Sequence, residues 1–275
     1  MGQALRVTSR NARFQQWEAL LVNRAKRQRS GEFMVQGVRP ITLAIRHGWP
    51  IRALLYDADA ELSQWAADAL RAVDATRVAV SAELMRELGG KTDGTPELLA
   101  VAGLPEDDLD RIPAGPGMLT VVFDRPASPG NIGALIRSAD AFGASGVIVT
   151  GHAADVYDPR SVRASTGTLF SLAAVRVPSH RAVLDWVRAI RAGGTALRIV
   201  GTDENGDIDL TRVDFTQPTL LLVGNETTRL TAAWRDACDH LARIPMLGTA
   251  SSLNAATAAS IVLYESARQR IAASR

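Results

Sequence analysis

"LTVVFDRPASPGNIGALIRSADAFGASGVIVT", residues 119–150, governs how the rest of the chain is read. Its opening run, Leu119–Phe123, is apolar at every position but Thr120, which is the pattern of a strand covered on both faces. Pro129 and Gly130 stop that strand, and Asn131 stands where it would cap a helix over Ile132–Phe142. Ile132, Leu135, Ile136 and Ala139 share the inward seam of this helix, and Gly133 leaves room for another backbone or a ligand. Arg137 lies well round the other side, where pairing with Asp140 is its simplest role. Gly146–Thr150 then supplies a second buried strand, so the stretch is a β-α-β unit with parallel strands.

The alternation continues downstream. Strands are expected at Ala174–Val177, Leu197–Thr202, Thr219–Val223 and Ala242–Pro245. Helices are expected near Ser161–Thr166, Ala182–Arg191, Thr231–His240 and Leu253–Arg270. This is the signature of a mainly parallel sheet covered on both faces, in which ligands sit beyond the carboxyl ends of the strands. Upstream, Asn11–Asn23 reads as a helix, Gly31 breaks the next segment, and a short strand follows. Strands at Ile51–Tyr56 and Arg77–Val80, with helices at Glu61–Val73 and Ala82–Leu88, make the first part α/β on its own. Between the two parts "LPEDDLDRIPAGPGM", residues 104–118, concentrates acids, prolines and glycines. Residues 1–108 are therefore read as one domain, 109–116 as a linker and 117–275 as a second domain.

Bulk properties bound the function. Of 275 residues, 47% are apolar, which suits a globular chain with room for a core in each part. No apolar run approaches the roughly 20 residues of a membrane span, and the arginines of the N-terminus are not followed by a signal core. A soluble, cytoplasmic protein with no membrane partner is expected. Cys238 is the single cysteine, so neither an intrachain disulfide nor a thiolate zinc cluster can form, and buried filler is its expected role. His152, Asp155 and Asp158 recur at every third position, but in a loop between Gly151 and Pro159, and no metal site is expected. Residues 1–46 hold nine bases and two acids, a charge of +7 on a chain whose total is +2. Such an end either faces a polyanion or is a solvated helix face.

Two further turns stand out. In "LLLVGNETTRL", residues 220–230, Gly224 directly follows an apolar strand and frees main-chain groups for a ligand edge. Glu226 follows it, either holding a cationic or hydroxylated group or serving as a helix-start acid. In "IPMLGTASSLNAATAASIVLYE", residues 244–265, Ser252 and Asn254 are natural caps of a helix whose first turns are nearly all Ala, Thr and Ser. The glycines form no G-x-G-x-x-G fingerprint and there is no G-x-S-x-G elbow, which removes the main supports for dinucleotide-dependent and acyl-transfer chemistry.

Taken in order, Asn131-x-Gly133-x-x-x-Arg137, Leu222-Val223-Gly224-Asn225-Glu226, Ile244-Pro245-Met246, Ser252-Leu253-Asn254 and Leu263-Tyr264-Glu265 resemble the motifs of the SpoU/TrmH family of RNA ribose 2′-O-methyltransferases, within the SPOUT group. The likeness runs over residues 117–270. The first hundred residues are similar to the family's substrate-binding extension related to ribosomal protein L30e, with "KRQRSGEFMVQGVRP", residues 26–40, as its basic signature. Within the family the whole chain resembles antibiotic-resistance methyltransferases that act on 23S rRNA.

That resemblance implies an α/β fold with a trefoil-knotted, mainly parallel sheet and a smaller N-terminal L30e-like α/β domain. It implies S-adenosyl-L-methionine as cofactor, held through Thr202, Gly224, Asn225, Ile244, Met246 and Leu253. It implies catalytic roles for Asn131, Arg137, Glu226, Ser252 and Asn254, and a homodimer with active sites at the shared interface. Ribosomal RNA, 23S by likeness, is the implied partner. Arg10, Arg13, Arg24, Lys26, Arg27, Arg29 and Arg39 are its expected contacts in the basic end, with Arg163 and Arg229 beyond it. "RASTGTLF", residues 163–170, matches a further family stretch, so that Arg163, Ser165 and Gly167 line an RNA or dimer surface or else close an ordinary helix. Many relatives follow the second-motif Glu with Gly-x-Gly-Leu, whereas this chain has Thr227-Thr228-Arg229-Leu230. The alternative function is a non-catalytic RNA-binding or ribosome-assembly protein that keeps the fold.

Overall fold

The computed structural model describes residues 5–90 and 94–274; residues 1–4, where the N-terminal stretch opens, lie outside the described residues. The chain divides into two compact units, Met1–Pro105 with Tyr157–Ser171, and Glu106–Val156 with Leu172–Arg275.

The first unit runs β1 (Leu5–Val7), α1 (Ala12–Val22), α2 (Arg24–Ser30), β2 (Glu32–Gln36), α3 (Val38–Arg46), β3 (Ile51–Asp57), α4 (Gln64–Ala72), β4 (Thr76–Val80), α5 (Ala82–Gly89) and β5 (Leu98–Gly103). Its five strands lie in the order β1-β4-β3-β5-β2, with β5 antiparallel to both neighbours and the other pairs parallel. Asn11 starts α1 by accepting the N–H groups of Arg13 and Phe14, and Asn23 both ends α1 and caps α2. The buried side of α1 presents Phe14, Trp17 and Leu20 to a core with Met34, Leu55, Val78 and Leu99. Gly31, at φ +65, closes α2 in the left-handed conformation that glycine adopts without strain.

The second unit holds β6 (Leu119–Asp124), α6 (Pro129–Ala141) and β7 (Gly146–Thr150). After α7 (Pro159–Ala164), which belongs to the first unit, come β8 (Ala173–Val177), α8 (His180–Ala192), β9 (Arg198–Thr202), β10 (Ile208–Asp209), β11 (Thr219–Val223), α9 (Ala232–Ala237), β12 (His240–Arg243) and α10 (Ala255–Ala273). Its seven strands lie in the order β10-β12-β9-β11-β6-β7-β8, and every pairing is parallel. The chain moves outward from β6 to β8, crosses back to β9, and then inserts β11 between β9 and β6. β6, β7 and β11 are buried at every position, as their largely apolar runs require, and the Thr150 hydroxyl donates to the buried Asp124 carboxylate at 3.0 Å. α10 packs along α6, where the Ser138 and Ser260 hydroxyls meet at 2.7 Å. Its far end is pinned by Arg270, whose guanidinium donates to the carbonyls of Phe215, Gly117, Met118 and Gln217.

Three expected boundaries move for physical reasons. α6 starts at Pro129 and its cap is Ser128, which accepts the Asn131 N–H, so Asn131 is not the cap. Proline has no N–H to give and a φ already suited to the first helical position, which sets the start. The last strand is His240–Arg243, so Ile244–Met246 fall in the loop beyond it, and α10 begins after its cap Asn254. β1, α3, β5 and β10 have no counterpart in the sequence reading.

Tyr157–Ser171 return to the first unit through aromatic packing. Phe33 lies 4.9 Å from the Tyr157 ring and 6.2 Å from that of Phe170, and the Trp49 indole donates to the Phe170 carbonyl at 3.0 Å. Gly167, at φ +95, sits where a Cβ would come within 2.8 Å of Leu43 and 3.1 Å of the Pro40 backbone. Ser165 is fully buried, its hydroxyl donating to the Val162 carbonyl. Ser165 and Gly167 thus serve the fold, and only Arg163 of that trio is exposed, reaching Gln36 at 3.2 Å.

Candidate active site

β12, β9, β11 and β6 are scattered in sequence yet stand side by side in the sheet, so the loops at their carboxyl ends are neighbours. The loops after β9, β11 and β12 line a cavity of about 390 Å³, a size typical of small-molecule sites. One part of its wall is apolar, with Val223, Ala242, Ile244, Met246 and Leu253, and another carries Asp203, Glu204, Glu226 and Arg229. Thr202, Gly224, Asn225, Ile244, Met246 and Leu253 all line it, together with Glu226 and Ser252.

The turn after β11 is built by Asn225. Its side-chain oxygen accepts the N–H groups of Thr227 and Thr228, and its amide donates to the Arg125 carbonyl at 2.7 Å. With that side chain committed to folding, Asn225 offers the cavity little beyond its main chain. Gly224 is the point of closest approach: a Cβ there would stand 2.5 Å from the Arg229 carbonyl carbon and from the Leu230 nitrogen. Thr202 similarly commits its hydroxyl to the Leu222 carbonyl at 3.1 Å.

Glu226 is not a helix-start acid, because residues 225–229 form a turn closed by reciprocal Asn225 and Arg229 main-chain bonds. Its carboxylate instead accepts the Asn131 amide at 2.7 Å and the Ala127 N–H at 3.3 Å. Asn131 in turn accepts the amide of Asn254 at 3.2 Å, while the Asn254 oxygen caps α10. The chain Asn254–Asn131–Glu226 therefore ties together three segments separated by 95 and 123 residues in sequence. Because α6 is capped by Ser128, Asn131 is free to act as the link.

Arg137 is placed differently. It is exposed, does not line the cavity, and has no hydrogen bond or ion pair to any described residue. Of the expected RNA contacts in the first unit, Arg10, Arg13, Arg29 and Arg39 are exposed and Arg24 and Lys26 half-buried. Arg27 is a correction: it is 2% exposed, donates to the Leu20 carbonyl at 2.7 Å and lies 4.0 Å from Asp158. A guanidinium committed to the inside of the fold is not available to a phosphate. Arg10 is partly engaged, bound to Glu18 at 2.6 Å.

Several cavity residues escaped the sequence reading. Asp203 and Glu204 open the loop after β9, and two acids directly beyond a parallel strand are the signal that marked them. Asp203 is nearly fully buried and paired with Arg235. Arg125, which does not line the cavity but braces the turn that does, had no sequence signal: it adopts φ +52 and donates to the Arg229 carbonyl at 3.1 Å and to Asp124 at 3.1 Å. Cys238, half-buried at the end of α9, donates to the Trp234 carbonyl, and burial pushes its thiol up to about 12, which leaves it protonated and inert.

This frame, a parallel sheet with three converging motif loops, belongs to a recognisable class: residues 118–264 match the SpoU rRNA methylase family and residues 11–100 the SpoU L30e-like domain. The chain belongs to the SpoU rRNA methylase family. It is 63% identical over 268 residues to the 23S rRNA (uridine(2479)-2′-O)-methyltransferase of Streptomyces viridochromogenes, covering 98% of this chain and 93% of that protein. Its structure is similar to the crystal structure of the SpoU methyltransferase AviRb from the same organism in complex with AdoMet, with a TM-score of 0.92 over 95% of this chain and 99% of that one, at 63% identity. An rRNA methyltransferase from Sinorhizobium meliloti is similar at a TM-score of 0.85 and 29% identity, covering 97% of this chain and 98% of that one.

Proposed function

We propose that this chain methylates a ribose 2′-hydroxyl of 23S rRNA with S-adenosylmethionine as donor. The observation that carries the reading is the Asn254–Asn131–Glu226 chain, in which residues from all three family motifs meet beside the cavity. The 63% identity to a protein named for that reaction supports the substrate. The cavity suits the donor: its apolar wall fits a flat adenine, and the Glu226 carboxylate, which has no cationic partner among the described residues, favours a cationic sulfonium. When bound, the donor supplies a methyl group already made electrophilic by its positive sulfur.

The protein's own task is then mostly placement. Holding the ribose oxygen in line with the methyl carbon is worth about 7–11 kcal/mol in favourable cases. Gly224, Ile244, Met246 and Leu253 present main-chain groups to the adenine edge, and Asn131 and Asn254 hold the loops in register. Arg137 clamps the neighbouring phosphate and stabilises charge developing on the 2′-oxygen, a role for a donor-only guanidinium. RNA is required because the reacting group is the 2′-hydroxyl.

The homodimer implied by the family is part of the proposal. An exposed groove lined by Phe142, Tyr264 and Ile271, with Tyr264 and Ile271 each 56% exposed, supports pairing through the α6–α10 face. A ribosomal RNA substrate favours a cytoplasmic protein, and resistance to a ribosome-targeting antibiotic is the expected consequence. The test is transfer of labelled methyl groups to 23S rRNA, followed by mapping of methylated riboses. One new 2′-O-methyl site that depends on the protein is expected; transfer to no ribose in 23S rRNA rejects the reading.

A further inference from the structure

The cavity contains one charged pair that the rest of the site does not use. Glu204, beyond β9, and Arg229, at the end of the turn after β11, meet with Nη2 and Oε1 2.5 Å apart, and both line the cavity. The other acids of the wall are engaged: Asp203 pairs with Arg235 and accepts the Asn205 N–H at 2.9 Å, and Glu226 accepts from Asn131 and Ala127. Among the described residues, the charged ends of Glu204 and Arg229 have only each other, and Arg229 is the one basic side chain lining the cavity.

The backbone at Arg229 strengthens the case. At φ +58 it lies in the left-handed region, where a glycine would be unstrained. The conformation is held by the two main-chain bonds with Asn225, at 3.2 and 3.0 Å, and by the Arg125 guanidinium on the Arg229 carbonyl. An arginine kept in a glycine-favouring turn, with its guanidinium on a cavity wall, points to work for the side chain.

Resting on the methyl-donor reading above, we infer that Glu204 and Arg229 form the subsite for the amino-acid end of the cofactor. The Arg229 guanidinium takes the α-carboxylate and Glu204 takes the α-ammonium. A zwitterion offers one charge of each sign, so exchanging the internal pair for it replaces one ion pair by two. Arg229 is 55% exposed and Glu204 26%, so solvent screens the pair from the arginine side and lowers the cost of opening it. The planar guanidinium also matches a carboxylate with two parallel hydrogen bonds, which a lysine would not.

Calorimetry on the full-length protein with two probes tests the assignment. S-adenosylhomocysteine carries the amino-acid end, whereas 5′-methylthioadenosine keeps the adenosyl thioether and lacks it. Arg229→Gly, which suits the turn's backbone, and Glu204→Gln should each weaken S-adenosylhomocysteine by at least about tenfold while leaving 5′-methylthioadenosine unchanged. Unchanged melting of the ligand-free variants confirms that both fold. Equal losses for the two probes would mean that the pair only shapes the turn and would overturn the inference. It also fails if neither affinity changes, including the case in which Arg229→Gly weakens RNA binding alone. Wild-type protein that binds neither probe rejects the methyl-donor reading itself.

Discussion

Asn131 shows what a residue type can and cannot announce. An Asn after Pro-Gly at a strand end reads as a cap, but Ser128 takes that position and releases the Asn131 amide to Glu226 and its oxygen to Asn254. The residue was legible as important, whereas its partners, 95 and 123 residues away, were not. Arg137 is the converse case, a side chain marked only by its motif and left without a described partner. If it acts on substrate phosphate and developing charge, Arg137→Ala keeps its affinity for S-adenosylhomocysteine, because the residue does not line the cavity. Its methylation kcat should fall by about 10²–10³, the loss seen when one charge-stabilising donor is removed. Single-turnover kinetics beside calorimetry check both halves.

At the scale of elements, the buried parallel strands were the most legible feature, since a run such as Leu119–Phe123 or Thr219–Val223 admits few other readings. Helix starts were legible where a cap was unambiguous, as at Asn11, and shifted where Ser128 and Asn131 competed. α3 was hidden because Pro40 sits within it, although a proline in the first turn of a helix is tolerated. Loop shape was hidden as well. Nothing local says that the Gly224 position faces the backbone of Arg229 and Leu230 across a closed turn. Gly224→Ala should therefore destabilise the protein by about 1–3 kcal/mol and weaken cofactor binding. Gly130→Ala, where the nearest atom is the Ser128 hydroxyl at 3.6 Å, is the control expected to be tolerated. Urea denaturation and calorimetry of the two variants distinguish these outcomes.

Over the whole molecule, α10 is a brace whose charged groups hold distant segments. Glu265 accepts two hydrogen bonds from Arg268 and one from Gln269, which itself bonds the carbonyl of Val213, and Phe215 donates to Gln269. The hydrogen bonds from Arg268 hold the Glu265 carboxyl below its ordinary value, against the opposing effect of burial. A lowered folded pKa means stability that is present above the unfolded value of 4.5 and is lost as pH falls through the folded one. Arg268 stays charged throughout, so the carboxylate alone sets the window. Glu265→Gln should cost about 1 kcal/mol at neutral pH, with the gap to wild type closing in acid. Chemical denaturation across pH measures it.

The amino-acid order alone was enough for the class of fold, the basic character of the first part and the three turns where chemistry gathers, because burial periodicity, charge and turn residues act over a few neighbours. It could not say that Tyr157–Ser171 return to the first unit, that Arg27 is buried, or that Asn254, Asn131 and Glu226 join hands. The first two depend on packing within the first unit, and the last on which strands become neighbours in the order β12-β9-β11-β6. A side chain's partners across such a sheet are set in space, where separation along the chain carries no information.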